Sequence, residues 1–145
     1  MTTAESQKTV QTLHIAKEVQ IAAPIEVVFE TILEPGGPLS AMALKLEPWP
    51  GGRWFRDLGD NTGHLWGHVQ VIKPPTLIEL CGPFFMSYPA LNFIQYRLTA
   101  EGAGGRGTKL ALTHQAVGAI PSEHREGVHK GWDFVISRIR DRAQR

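Results

Sequence analysis

The chain has 145 residues, of which 42% are hydrophobic and 20% charged, a composition typical of a globular protein with one domain. Lys and Arg number 15 against 14 Asp and Glu, so nucleic acid is not an expected partner. The single cysteine excludes an intramolecular disulfide, and residues 1–12 lack the apolar core of a signal peptide, so we expect a cytoplasmic location. No apolar run reaches the roughly 18 residues of a membrane span.

The amino-terminal part of the chain predicts an arm followed by a strand. Residues 1–12 are polar, and we expect a flexible arm there, before a single domain over residues 13–145. Apolar and polar side chains alternate in residues 13–21, as they do in a half-buried strand. Lys17 falls on the apolar side, so either it lies at a solvent-exposed end of this strand or its amine points into the protein interior.

Two short helices are predicted after this strand. Pro24 suits the first position of a helix, and apolar residues then recur at helical spacing. These residues are Ile25, Val28, Phe29 and Ile32. The Pro and Gly residues of 34–38 end the first helix, and residues 39–44, rich in Ala and Met, predict the second.

The middle of the chain predicts a β-meander. Short clusters of Gly, Pro, Asp and Asn separate segments rich in apolar residues, and connections this short join antiparallel neighbours. The predicted strands are residues 53–58, 63–72, 76–81, 92–99 and 108–117. An apolar segment, residues 84–89, has turn residues at both ends and predicts a loop that covers something or must itself be covered.

The predicted strand 63–72 has two possible orientations, because alternate residues of a strand face opposite sides of the sheet. One orientation buries Trp66, His68 and Gln70. The other buries Leu65, Val69 and Val71. We predict that the aliphatic set faces the interior, which would leave Trp66 outside the pocket.

The end of the chain, residues 122–142, predicts one long amphipathic helix. Its apolar residues recur at steps of three and four and form one face. They are Val128, Trp132, Val135, Ile136 and Ile139. A curved antiparallel sheet wrapped around this helix would cover that face and leave a cavity. The sequence therefore predicts an α+β fold in which about six to seven antiparallel strands grip the C-terminal helix.

This order of elements, together with five short motifs, resembles the START-like, helix-grip superfamily. Within it, the chain is similar to the C-terminal domain of the activator of Hsp90 ATPase. The motifs are IAAP at 21–24, PGGRW at 50–54, GHVQVIKPP at 67–75, GTKL at 107–110 and HKGW at 129–132. The resemblance implies a hydrophobic pocket between the sheet and the C-terminal helix, which relatives use for apolar ligands.

His114 is the most informative polar residue of the sequence. It shares a face of its predicted strand with Leu110, Leu112 and Ala116, so its ring is expected among buried apolar side chains. Its ring would either bind a ligand or act as a general base. The other interpretation is a core histidine that bonds a backbone carbonyl or water.

The predicted pocket residues are mostly large and apolar. They are Trp54, Phe85, Met86, Tyr96, His114, Trp132 and Ile136. Aromatic side chains with a polar group line pockets well and fill cores equally well, but as a set these residues favour a cavity. Trp132 is the strongest single candidate, because it lies in the middle of the helix on its apolar face.

The six histidines do not predict a metal site. His64 and His68 are expected on one strand face about 13 Å apart. This is too far for one ion with bonds of about 2 Å. His124 and His129 would point in different directions on the helix. We predict no catalytic residue, no metal and no cofactor.

Three functions are compatible with the sequence, which also leaves a homodimer open. The leading one is a module that binds a small apolar or aromatic molecule, oriented by Asn92, Tyr96 or His114. The second is a cyclase- or hydrolase-type enzyme, in which His114 converges with Tyr96 or Lys17. The third is a chaperone-linked protein-interaction domain, which predicts an exposed apolar patch and a small or filled cavity.

Overall fold

The computed structural model of the chain describes residues 9–33, 44–84 and 89–145. Within these ranges, two helices pack against one antiparallel sheet of seven strands. The strands are β1 (Gln11–Ile21), β2 (Leu44–Leu46), β3 (Arg53–Gly59), β4 (Thr62–Lys73), β5 (Leu77–Gly82), β6 (Ala90–Glu101) and β7 (Gly107–Gly118). The α-helices are α1 (Ile25–Leu33) and α2 (Ser122–Ala143), and a single 3-10 turn, Ala103–Gly105, joins β6 to β7.

The strand order β1-β7-β6-β5-β4-β3-β2 shows how the chain closes on itself. After β1 the chain crosses to the far edge of the sheet and returns strand by strand until β7 lies beside β1. β7 pairs with β1 from Gly118 opposite Gln11 to Thr108 opposite Ile21. The sheet is curved and unclosed, and its concave face holds α2, so the predicted α+β helix-grip fold is confirmed.

Two boundaries near the amino terminus bear on the predictions. β1 begins at Gln11, so Gln11 and Thr12, which we expected in the arm, pair in the sheet. α1 follows β1 as predicted, and Leu44 begins β2. The second short helix was predicted at residues 39–44, of which 39–43 lie outside the described residues. No helix in the described ranges is long and apolar enough to cross a membrane.

β4 contains an irregularity that reverses the predicted orientation of Trp66. Neighbouring residues of β3 pair with Gly67 and Leu65, so Trp66 is an extra residue in β4, a β-bulge. Because a bulge shifts the alternation by one residue, Trp66 and Val69 are both buried, at 4% and 2% exposure. Leu65 is exposed. The prediction that Trp66 lies outside was wrong because it assumed an unbroken strand.

The apolar face of α2 packs against the concave face of the sheet. The buried residues of this helix are Val128, Trp132, Val135, Ile136, Ile139 and Ala143. The carboxyl end of α2 is fixed where the Ala22 backbone N–H donates to Gln144 Oε1 at 2.8 Å. The Thr108 hydroxyl donates to the Ala23 carbonyl at 2.8 Å and ties β7 to the same turn. These contacts hold Trp132 over the middle of the sheet.

Gly82 is expected to tolerate no side chain. A Cβ atom there would clash with the Cα of Gly67 on the neighbouring strand. Gly82→Ala should therefore push β5 away from the bulged part of β4 and lower the free energy of unfolding by about 1–3 kcal/mol. Urea unfolding followed by tryptophan fluorescence measures this change. An unaltered midpoint would contradict the prediction, because it would show that β4 and β5 accommodate the methyl group without loss of stability.

Gly131→Ala is the matched control. Gly131 lies on the exposed side of α2, and a Cβ atom there meets no atom of the described residues within 4 Å. Because alanine is a better helix former than glycine, this variant should raise the free energy of unfolding by about 1 kcal/mol.

Candidate functional site

An aromatic cluster occupies the space between the middle of the sheet and α2. Its members come from four strands, from the turn after β5 and from the helix. They are Trp54, Trp66, Phe84, Tyr96, His114 and Trp132. All six are buried, from 0% exposure at His114 to 6% at Phe84. The cluster therefore connects the two walls that the fold places face to face.

Phe84 is the centre of this cluster. Its ring stacks on Trp54 of β3, with centroids 5.6 Å apart and planes at 30°. It also stacks on Trp132 of α2, at 5.9 Å and 7°. Trp66 and His114 meet it edge to face at 5.0 and 5.1 Å. Stacked and edge-to-face pairs are the arrangements that aromatic rings prefer.

A chain of hydrogen bonds runs through the cluster. Trp132 Nε1–H donates to His114 Nδ1 at 2.9 Å. Since Nδ1 accepts, the proton of the neutral ring lies on Nε2, which donates to Asn92 Oδ1 at 2.7 Å. The Asn92 amide nitrogen in turn donates to the Pro83 carbonyl at 3.2 Å. This polar chain links α2, β7, β6 and the turn after β5.

The position of His114 follows from the alternation of β7. It pairs with Ile15 of β1 and Ile94 of β6, and its predicted face is buried. The core interpretation expected a backbone carbonyl or water as its partner, whereas its partners are the side chains of Asn92 and Trp132. The alternation thus predicted the direction of the ring but did not identify what the ring contacts.

The titratable groups of the cluster are held neutral. Burial, with a smaller contribution from nearby His124, lowers the pKa of His114 from 6.5 to about 4. Burial also raises the pKa of Tyr96. At neutral pH the imidazole and the phenol are therefore both uncharged, so the six rings present an uncharged surface.

Two of the groups that the enzyme hypothesis invokes, Lys17 and His114, already have polar partners. Lys17 Nζ lies 3.0 Å from Asp133 Oδ1 of α2, so its amine pairs across the edge of the sheet. Tyr96 meets Trp132 edge to face at 6.2 Å. Both ring nitrogens of His114 are already hydrogen-bonded. In this arrangement, a proton acceptor role for His114 Nδ1 requires that the Trp132 indole N–H first be displaced.

The structure brings together most of the predicted pocket residues. Trp54, Tyr96, His114 and Trp132 all belong to the aromatic cluster, and Ile136 is buried on the same face of α2. Phe85 and Met86 lie outside the described residues. Trp66 was missed because of the bulge. The apolar segment 84–89 predicts a loop in contact with other apolar groups, but sequence alone could not place the Phe84 ring against Trp54 and Trp132.

The described ranges contain no group of three or more His, Cys, Asp or Glu side chains placed to hold a metal ion. His68 pairs with Arg53 and His64 with Arg56. Arg53 and Arg56 are three apart in β3 and face opposite sides of the sheet. The expectation that His64 and His68 share a face was therefore wrong, again because of the bulge.

A shallow groove, called the outer groove here, lies on the face of the sheet that points away from α2. It is an open groove of about 380 Å³ formed by β1, β6 and β7. Its lining residues are Thr12, Leu13, His14, Leu91, Phe93, Gln115, Ala116 and Val117. Leu91 and Val117 are 54% and 44% exposed. Exposed apolar side chains of this kind are what the protein-interaction hypothesis predicts.

A helix gripped by a curved antiparallel sheet, with an apolar cluster between them, defines the START-like class. Within this class, the sequence model of the family described as "Activator of Hsp90 ATPase homolog 1-like protein" matches residues 22–144. The chain therefore belongs to this family, whose fold typically binds hydrophobic ligands. No curated protein sequence matches the chain significantly.

Solved structures with the same fold share little sequence with this chain. An uncharacterised protein of Rhizobium leguminosarum has a TM-score of 0.72 and 19% identity, with 92% of this chain and 95% of that chain covered. Mll3558 of Rhizobium loti has a TM-score of 0.71 and 15% identity, covering 92% and 98%. CalU16 of Micromonospora echinospora has a TM-score of 0.64 and 18% identity, covering 95% and 84%. These similarities establish the fold.

The lowered pKa of His114 predicts a pH dependence of stability. The unfolded chain takes up this proton near pH 6.5 and the folded chain only near pH 4, so the unfolded state binds more protons between these values. Stability should therefore fall as the pH drops from 6.5 to 4, by about 3 kcal/mol at about 1.4 kcal/mol per pKa unit. Urea unfolding at a series of pH values measures the slope.

His114→Gln removes the titrating group and should flatten this slope, although the variant starts from a lower stability. His129→Gln is the control, because His129 is exposed on α2 and lies outside the aromatic cluster. If the wild type and His114→Gln lost stability in parallel over this range, the buried imidazole would not be the source of the effect.

Proposed function

We propose that this protein binds a small hydrophobic or aromatic molecule between the curved sheet and α2. The observation that carries the proposal is the aromatic cluster, which spans both walls of the fold and contains a chain of polar groups. Apolar walls with a few fixed hydrogen-bonding groups are the usual composition of a small-molecule site.

The two parts of the site have different roles. Trp54, Trp66 and Trp132 supply large flat surfaces, and burial of apolar area contributes about 25 cal/mol per Å². Asn92 and His114 supply directional groups that orient a polar substituent of the ligand. Since His114 is neutral at physiological pH, the site favours an uncharged ligand over an ion.

A protein-interaction domain is the second candidate, and two observations favour it. The outer groove exposes Leu91 and Val117, and the interior space between the walls holds the Phe84 ring. If the interior is simply a filled core, the convex face is the functional surface. The two candidates differ in whether a bound ligand contacts Trp132, so that replacing Trp132 abolishes binding, or binds elsewhere.

The proposal predicts that a ligand stabilises the wild type through Trp132. We expect native mass spectrometry of the purified protein to show a bound small molecule. We also expect a screen of apolar and aromatic metabolites to raise the melting temperature. A ligand at 100 times its Kd stabilises by about 2.7 kcal/mol, which for a domain of this size is a rise of roughly 5–10 °C.

Trp132→Leu should abolish this rise, since it removes the flat wall but keeps an apolar side chain on the buried face of α2. Phe134→Leu is the matched control, because Phe134 lies on the same helix and is 57% exposed. A ligand that stabilises the wild type and Trp132→Leu equally would place binding elsewhere. No bound species and no stabilising ligand would shift the function to the outer groove.

A further inference from the structure

We propose that the space held by the Phe84 ring is the ligand slot, that the ligand is a flat, uncharged aromatic molecule, and that it enters by displacing Phe84. This inference rests on the proposed function, because it uses the same site between the sheet and α2. It adds the class of ligand and the side chain that the ligand must replace.

The shape of the slot specifies a flat ring. The plane of Phe84 lies within 7° of the plane of Trp132 and within 30° of that of Trp54. These two indoles belong to different walls, the sheet and α2, and the Phe84 ring stacks on both, so a ring in this space has two flat aromatic neighbours. A saturated ring or an alkyl chain is thicker and would lose the stacking that an aromatic ring gains on each side.

The edges of the slot add a chemical constraint. Trp66 and His114 meet the Phe84 ring edge to face, at 74° and 72° between planes. Both edges are uncharged rings, because His114 is held neutral. A hydroxyl or carbonyl at the edge of the ligand would lie near the polar chain of His114 and Asn92, which offers it both donors and acceptors.

The backbone of Phe84 differs from that of its neighbours in the cluster. Its φ angle is 62°, in the left-handed region that bulky side chains rarely adopt. The other five members lie on strands or on α2, whereas Phe84 lies in the turn after β5. Such a conformation persists only where the surroundings hold it.

Two hydrogen bonds hold the turn in this conformation. The Phe84 backbone N–H donates to the Trp66 carbonyl at 2.7 Å, within the β4 bulge. The Pro83 carbonyl accepts from Asn92, the last link of the polar chain. If the Phe84 ring leaves the slot, its backbone can return to a favoured region. Relief of this strain offsets part of the stacking that is lost, so Phe84 is the member of the cluster best suited to exchange.

Displacement can be observed directly in the full chain with 4-fluorophenylalanine at position 84. A second protein carries the same label at position 93, which lies on β6 away from the cluster. The probe is 2-naphthol, and decahydro-2-naphthol is its saturated analogue. In the free protein, ring currents of the flanking indoles should shift the ¹⁹F signal of position 84. Saturating 2-naphthol should move that signal to its value in the unfolded chain and leave position 93 unchanged.

Affinity provides the second measurement. Removing the resident ring removes the cost of displacing it, since a site that is open only part of the time binds with a reduced apparent affinity. Phe84→Ala should therefore bind 2-naphthol about 10-fold more tightly than the wild type by calorimetry. The gain for decahydro-2-naphthol should be smaller. If Phe84→Ala does not fold, Phe84→Leu takes its place, because it keeps apolar volume without a flat ring. Its affinity for 2-naphthol should lie between those of the wild type and Phe84→Ala.

The outcomes separate this inference from the proposed function. If 2-naphthol binds the wild type and the position 84 signal stays in place, displacement is wrong and the proposed function stands. Equal affinities of the wild type and Phe84→Ala would likewise rule out displacement. A larger gain for the saturated analogue would overturn the aromatic class. If neither probe binds any folded variant, the inference is overturned. The broader ligand screen with Trp132→Leu then decides the proposed function.

Discussion

The hydrogen bond from Trp132 to His114 is the contact on which the arrangement of helix and sheet depends. Both side chains are buried, and a buried polar group without a partner costs about 1–3 kcal/mol. A rotation or slip of α2 by one residue would separate the Trp132 indole N–H from His114 Nδ1 and deprive both buried atoms of this hydrogen bond. Apolar packing alone tolerates such slips more readily. The polar chain therefore fixes the register of the helix, while the apolar face supplies most of the stabilisation.

The same chain reaches the turn after β5, because Asn92 donates to the Pro83 carbonyl. The conformation of Phe84 is thus coupled to the position of α2 through three side chains. A molecule that bonds to His114 Nε2 would compete with Asn92, whose amide also holds the Pro83 carbonyl of the turn that carries Phe84. In the proposed site, orientation of a ligand and release of the Phe84 ring would therefore be coupled through this hydrogen-bond chain.

Periodicity was sufficient to predict the fold, because the strands alternate and the apolar face of α2 recurs at helical spacing. The direction of His114 followed from the same alternation. Trp66 could not be placed, since a bulge depends on the pairing of two strands and changes the alternation of only one. The Phe84 ring could not be placed either, because a turn has no period. The parts of the site that sequence failed to predict are therefore those set by contacts between elements.

In the proposed mode of binding, a site filled by its own side chain would resolve a conflict between stability and binding. An empty apolar cavity costs about 24 cal/mol per Å³, a large penalty for a domain whose net stability is about 5–15 kcal/mol. The Phe84 ring removes that cost in the free protein. A ligand then gains only the difference between its own contacts and those of Phe84, so weakly packing molecules are excluded. A flat molecule larger than one benzene ring gains on both indole faces, and the resident ring thereby sets the threshold for selectivity.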